Sequence, residues 1–339
     1  MIEKSKIQHG LFRGIWIGLG TILCISIITI ILYQHREFQQ ILDTTLSDLQ
    51  WIQLFVGWSM MIIAIFVLGF RYKALLPPHP KLTGLFLGSC LSGGLLLNYA
   101  IPGPFGEIVG AYFVQQKSSI SLSHATASAI VARILGLITA AFGSLLCYLL
   151  LPDLEIANSI IHLLMWGIFG GSTILFGILF LPKYIPQKHP LMTSMVQACL
   201  SLSNLPPSRF VQAIFWSIVG HLFAFLGVYL SLDALGETSQ ILGILFSYLT
   251  STCCGAIAFL FPGSQFTWDA IFASLLVASS QYSIESAGVG VLFLRIEQVA
   301  MMLFGSIPLM WLTKQLIGTS SKAEQENPIP EENINPNPM

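Results

Sequence analysis

Charge is the scarcest property of this chain. Fifteen Lys and Arg and 16 Asp and Glu make up 9% of its 339 residues, against 54% hydrophobic. A soluble domain carries about 25% charged residues. With a mean hydropathy of +0.76, the natural solvent of this chain is lipid, and nothing in its charge points to nucleic acid. Motifs for chemistry are missing too. There is no Walker loop, aspartate-rich metal motif, Ser/His/Asp arrangement, Cys-x-x-Cys pair or zinc-spaced His cluster. The expectation is therefore a protein that is not an enzyme and uses no cofactor or metal. The cysteines imply no disulfide framework, because Cys24, Cys90, Cys147, Cys253 and Cys254 lie inside apolar runs and read as small apolar residues.

What the chain has is long apolar runs. About 20 such residues cross roughly 30 Å of hydrocarbon, and the spans read as Phe12–Tyr33, Trp51–Phe70, Ala125–Leu151, Ser159–Leu181, Phe210–Ser231 and Ala287–Thr313. The first is too long for a signal-peptide core and is followed by no small-residue cleavage site, so it reads as a retained helix. Trp16, Trp51, Tyr72 and Trp311 near span ends read as interfacial anchors. Gly14-x-x-x-Gly18 and Gly167-x-x-x-Gly171 read as small-residue helix contacts.

Two stretches differ. Leu82–Ile101 and Ile241–Phe261 each end in a Pro-Gly break, Pro102-Gly103 and Pro262-Gly263, and resume as the weaker pieces Ile108–Val114 and Ala270–Ala278. A helix break in hydrocarbon survives only where protein or a water-filled cavity surrounds it. Both stretches are expected to be re-entrant helical hairpins. Charge counting alone does not separate a hairpin from two full spans, but the polar Asn98 and Gly93-Gly94 favour the hairpin. With six spans and two hairpins, 12 basic residues fall on one face, among them Lys6, Arg71, Lys73 and Arg209, and only Arg36 on the other. The positive-inside rule then puts both termini in the cytoplasm, in the cytoplasmic (inner) membrane.

The few intramembrane charges repeat. Glu107 precedes Arg133 by 26 residues and Asp269 precedes Arg295 by 26, with 162 between the pairs. Around the arginines, Arg-Ile is followed by Phe-Gly-Ser at Arg133–Ser144 and again at Arg295–Ser306. Each half is two spans, a hairpin and a third span in opposite orientations. The expected fold is an all-α polytopic membrane protein of about six transmembrane helices plus two re-entrant hairpins in an inverted-topology repeat. Such repeats commonly place a transport site at the midplane. Repeat one covers about residues 12–151 and repeat two about 159–313, within a transmembrane region of 1–317. Leu191–Leu205 reads as a connecting segment, and Gly318–Met339, rich in Pro, Asn and Glu, as a disordered cytoplasmic tail.

A charge inside a membrane segment costs about 2.5–3.5 kcal/mol on insertion scales and marks function by default. Arg133 and Arg295 each lie eight residues, about 12 Å, into their spans. Two readings stand together. The arginines pair with Glu107 and Asp269 to pin the hairpins, and they bind a lipid phosphate bidentately when a substrate competes for them. The apex from Asn98 through Pro102, Gly103 and Gly106 to Glu107 leads into a half-helix N-terminus, which favours an anion, although Glu107 alone could cap it. Glu297 has no counterpart in the first half, where Leu135 stands, and is a candidate partner for Arg295. His221, mid-span, reads as a packing histidine before a proton relay.

At these residues the chain resembles the flippase-like transmembrane region of the lysylphosphatidylglycerol synthase family. Asn98, Pro102, Gly103, Gly106, Glu107 and Arg133 match its first motif, and Pro262, Gly263 and Arg295 match a degraded second one. Ser264, Gln265 and Thr267 replace glycines, Asp269 replaces a glutamate, and Gly110 stands where an arginine is common. The soluble synthase domain is absent from this sequence. The resemblance implies a lipid translocase or lipid-binding transporter, with an anionic or lipid-linked membrane lipid as ligand. A secondary transporter of an ion or small solute is the alternative, as is a non-transporting accessory subunit of a lipid-modifying complex. A second copy or a lipid enzyme remains open as partner. The site residues expected are Asn98, Pro102, Gly103, Gly106, Glu107, Arg133, Pro262, Gly263, Asp269, Arg295 and Glu297.

Overall fold

The computed structural model describes Ser47 and residues 49–100, 105–151, 158–185, 190–236, 240–258 and 264–326. The expected first span Phe12–Tyr33, Gly14-x-x-x-Gly18, Trp16, the breaks Pro102-Gly103 and Pro262-Gly263, and residues 327–339 lie outside them. The described residues form ten α-helices and no strand. They are α1 Trp51–Leu75, α2 Gly84–Ala100, α3 Phe105–Lys117, α4 Leu122–Leu149, α5 Asn158–Phe180, α6 Pro190–Ser203, α7 Pro207–Asp233, α8 Ile241–Ala258, α9 Ser264–Ser280 and α10 Ile284–Glu326.

Local chemistry sets the ends. Leu76 is extended ahead of Pro77-Pro78 and stops α1. Ser121 caps α4 by accepting the His124 N–H, and Pro207 opens α7 where its missing donor costs nothing. Five helices (α1, α4, α5, α7 and the first part of α10) are long and apolar enough to cross a membrane. The chain is thus an all-α polytopic membrane protein. Trp166, Phe169, Phe215 and Phe304 are exposed on its outside, as a lipid-facing surface requires and a water-facing one disfavours. The hairpin arms are shorter: α2, α3, α8 and α9 have 17, 13, 18 and 17 residues.

Three boundaries or burials differ from expectation. Helix α10 continues to Glu326, nine residues into the segment that reads as a tail. Lys322, Ala323, Glu324 and Gln325 favour helix, and the first proline comes only at Pro328. Tyr72 is no interfacial anchor; it is 1% exposed and its hydroxyl donates to the Ala125 carbonyl at 2.8 Å. Helix α4 starts three residues before the expected Ala125, and α10 likewise starts before Ala287. Arg133 and Arg295 therefore both lie eleven residues, about 16 Å, into their helices.

The two halves interlock. Second spans α1 and α7 cross where Gly57 meets Ser231, and a Cβ on Gly57 would lie 2.6 Å from the Ser231 hydroxyl. The first arm of each hairpin packs on the third span of the opposite half, α2 on α10 and α8 on α4. The repeated Phe-Gly-Ser marks these crossings. Ser92 of α2 donates to the Met302 carbonyl at 3.0 Å and fills the space a Cβ on Gly305 would need. Ser144 of α4 shares a hydrogen bond of 2.5 Å with Thr250 of α8, and Leu249 lies over Gly143. Without hydrophobic driving force in lipid, such close approach of small residues is what holds helices together. Gly167 and Gly171 of α5 likewise face Cys253 of α8 and Ile138 of α4.

At Gly69 the approach is backbone to backbone, since a Cβ there would overlap the Gly84 carbonyl oxygen and the Gly88 nitrogen. Gly170 has nothing within 4 Å of such a Cβ. Gly69→Ala is expected to destabilise the detergent-solubilised protein by about 1–3 kcal/mol, and Gly170→Ala to leave it unchanged or slightly more stable. Thermal unfolding followed by circular dichroism measures both, and equal midpoints for the two variants would contradict this packing.

Candidate functional site

The two hairpins, α1, α4, α7 and α10 enclose a cavity of about 310 Å³. Most of its wall is apolar, with Leu68, Leu91, Leu137 and Met301 among the lining residues. Its polar side chains are a minority and include Arg71, Asn98, Glu107, Arg133, His221, Tyr248, Thr252 and Gln298.

The first hairpin is built around Asn98. Its Oδ1 accepts the Gly106 N–H at 2.7 Å, and its Nδ2 donates to the two Glu107 oxygens at 3.4 and 3.2 Å. One side chain thus satisfies a backbone donor at the start of α3, where intrahelical partners are lacking, and holds the carboxylate. The arms meet closely because a Cβ on Gly106 would overlap the Gly94 carbonyl oxygen. Glu107, in the first turn of α3, accepts an ion-paired hydrogen bond from Arg133 Nη1 of α4. The glutamate side chain is 11% exposed and the arginine 33%, so the pair lies at the cavity wall with the guanidinium partly open to it.

The second pair is built differently. Arg295 Nε donates to Asp269 Oδ1 at 2.6 Å, but neither residue lines the cavity. Between them and the space stand Trp268, whose ring centroid is 5.2 Å from the Arg295 guanidinium carbon, and Gln298, which accepts from Arg295 Nη1 at 2.5 Å. Asp269 is the sixth residue of α9, beyond its first turn, so it lacks the helix-terminal position of Glu107. Glu297 is not the partner of Arg295. Residues two apart on a helix do not face each other, and Glu297 turns toward α7, where its Oε2 accepts from Ser231 at 2.8 Å. It is 1% exposed, and its Oε1 meets no partner among the described residues. Of the expected site residues, Asn98, Gly106, Glu107 and Arg133 line one cavity; Asp269 and Arg295 stand behind its wall; Glu297 lies apart. Pro102, Gly103, Pro262 and Gly263 are outside the described residues.

Arg71 escapes the sequence reading, which places it among basic residues flanking the first-half spans. It is 9% exposed and lines the cavity. The usable signal is Pro77-Pro78, the nearest stop after Trp51, which puts Arg71 inside the helix. Gly136 of α4 makes room for it, since a Cβ there would overlap Arg71 Nη1. The carbonyl of the same Gly136 accepts from His221 Nε2 at 3.1 Å, leaving His221 Nδ1 facing the Tyr248 hydroxyl at 3.4 Å. Helices α1, α4, α7 and α8 converge there.

These features define a class: a polytopic α-helical membrane protein with a charged cavity between two interlocked halves. The family model described as the lysylphosphatidylglycerol synthase TM region matches residues 15–305, and the chain belongs to that family. No curated protein and no solved structure matches it.

The ion pair has a testable asymmetry. Arg133→Gln removes the counter-charge of a carboxylate that is 11% exposed and leaves it the Asn98 amide, whereas Glu107→Gln removes the counter-charge of a guanidinium that is 33% exposed. Arg133→Gln is expected to cost about 2–3 kcal/mol and Glu107→Gln less, below the 3–5 kcal/mol of a fully buried pair. The double variant should cost less than the sum. Chemical unfolding in detergent checks this; additive costs would mean the two side chains do not interact.

Proposed function

We propose that the protein is a lipid translocase or lipid-binding transporter of the cytoplasmic membrane, with both termini in the cytoplasm and no catalysis of its own. The cavity carries this reading. It combines a largely apolar wall with a few charged and polar groups, and it lies between two halves that repeat a hairpin and a scaffold helix, the arrangement in which secondary transporters bind substrate. An amphipathic lipid would pass its headgroup through this space while the acyl chains stay in the bilayer. Glu107 holds Arg133 in the empty state, and an anionic headgroup competes for the guanidinium by the bidentate contacts that phosphate offers. With no nucleotide motif in the sequence, this reading takes its energy from a gradient or from nothing at all.

An accessory role, presenting lipid to an enzyme, is supported by one observation: only one of the two ion pairs reaches the cavity. Reconstitution decides. Vesicles containing the protein are expected to move a fluorescent anionic phospholipid between leaflets, measured by dithionite quenching, and Arg133→Gln to slow that movement at least tenfold. Movement no faster than in protein-free vesicles would overturn the transport reading, and equal rates for the two proteins would overturn the role of Arg133.

A further inference from the structure

We propose that Arg71 is the residue that holds the phosphate oxygens of a lipid headgroup in the cavity, while Arg133 remains the exchangeable partner of Glu107. The inference rests on the cavity being the lipid site proposed above. Three observations carry it. Arg71 is nine-tenths buried and its Nε has no hydrogen-bond partner among the described residues. It makes no ion pair with any described acid: Glu107 is engaged by Arg133, and Asp269 by Arg295. Its guanidinium lies against Gly136, one turn along α4 from Arg133, and residues three apart share a helix face.

The cavity wall therefore carries two guanidinium groups and one carboxylate, a surplus of positive charge in a largely apolar wall. Isolated buried charge is strongly disfavoured unless a counter-charge and hydrogen bonds accompany it. A phosphate supplies both, because its oxygens match the donor fork of a guanidinium. Gly136 takes part in the site by having no side chain, since any Cβ would displace the guanidinium tip. Leu91 and Met301, on other parts of the lining, offer apolar contact to the glycerol region of the same molecule.

The test is binding to the purified full-length protein by isothermal titration in detergent. The probes are dioctanoylphosphatidylglycerol, dioctanoylglycerol with the same tails and no phosphate, and inorganic phosphate. The wild type is expected to bind the phospholipid at least tenfold more tightly than dioctanoylglycerol. Arg71→Gln should abolish that difference, and Gly170→Ala, outside the cavity lining, should preserve it within a few-fold. Arg71→Lys and Gly136→Ala keep the charge and shift only a side-chain tip; both are expected to weaken phospholipid binding partially. They decide the matter if Arg71→Gln does not fold. Inorganic phosphate bound through Arg71 as tightly as the phospholipid supports the site and makes free phosphate its ligand. Wild-type affinity in all three variants overturns the proposal, as does a wild type that binds neither phosphate-bearing probe. Loss of transport in Arg133→Gln together with unaltered binding in Arg71→Gln removes this inference and leaves the transport reading standing. Arg71-dependent binding without any lipid movement does the reverse.

Discussion

The Glu107–Arg133 pair is the constraint around which the first half is arranged. A carboxylate at the tip of a broken helix can enter hydrocarbon only with its counter-charge close by. That requirement fixes the distance between α3 and α4, and Asn98 then fixes the other arm against the same carboxylate. Gly94 and Gly106 follow from it, because two arms drawn together at one charged group leave no room for a Cβ. The cavity is the space left between these short helices and the spans α1, α4, α7 and α10.

The same geometry explains why two similar halves are not equivalent. Each third span is gripped twice, by an ion pair from its own hairpin and by a small-residue crossing from the other one. In the first half the ion pair faces inward. In the second, Trp268 and Gln298 stand in front of it, so the repeated charge serves as scaffold. Positive charge at the cavity comes from Arg71 and Arg133, both in the first half, and the second half supplies His221, Tyr248 and Gln298. Of the two halves that share the repeated pairs, one provides charge and the other hydrogen bonds, a polarity that the repeated spacing alone does not suggest.

Five of the expected spans, the paired short helices and the two ion pairs were legible in the sequence because they follow from local rules. Runs of apolar residues set the spans, and scarce intramembrane charges had few possible partners. The repeated Phe-Gly-Ser was visible as a pattern, but its meaning was not, since Gly305 matters only through Ser92, more than 200 residues away. Arg71 was misplaced because an arginine near a span end is ordinarily a flank, and its burial depends on Gly136 of another helix. Tyr72 failed for the same reason, its hydroxyl being satisfied by the Ala125 carbonyl. Glu297 was assigned by proximity in sequence, where the turn of the helix directs it to Ser231 instead.

The exchange of hairpins between halves also sets a schedule for synthesis. Helix α2 finds its packing partner α10 only after about 180 more residues have been made. At roughly 5–20 residues per second, α2 waits on the order of 10–40 seconds with Ser92 and its neighbours lacking the surface they pack against. During that interval the first half stands in the bilayer as an unfinished object, open to lipid, to insertion factors or to a second nascent chain.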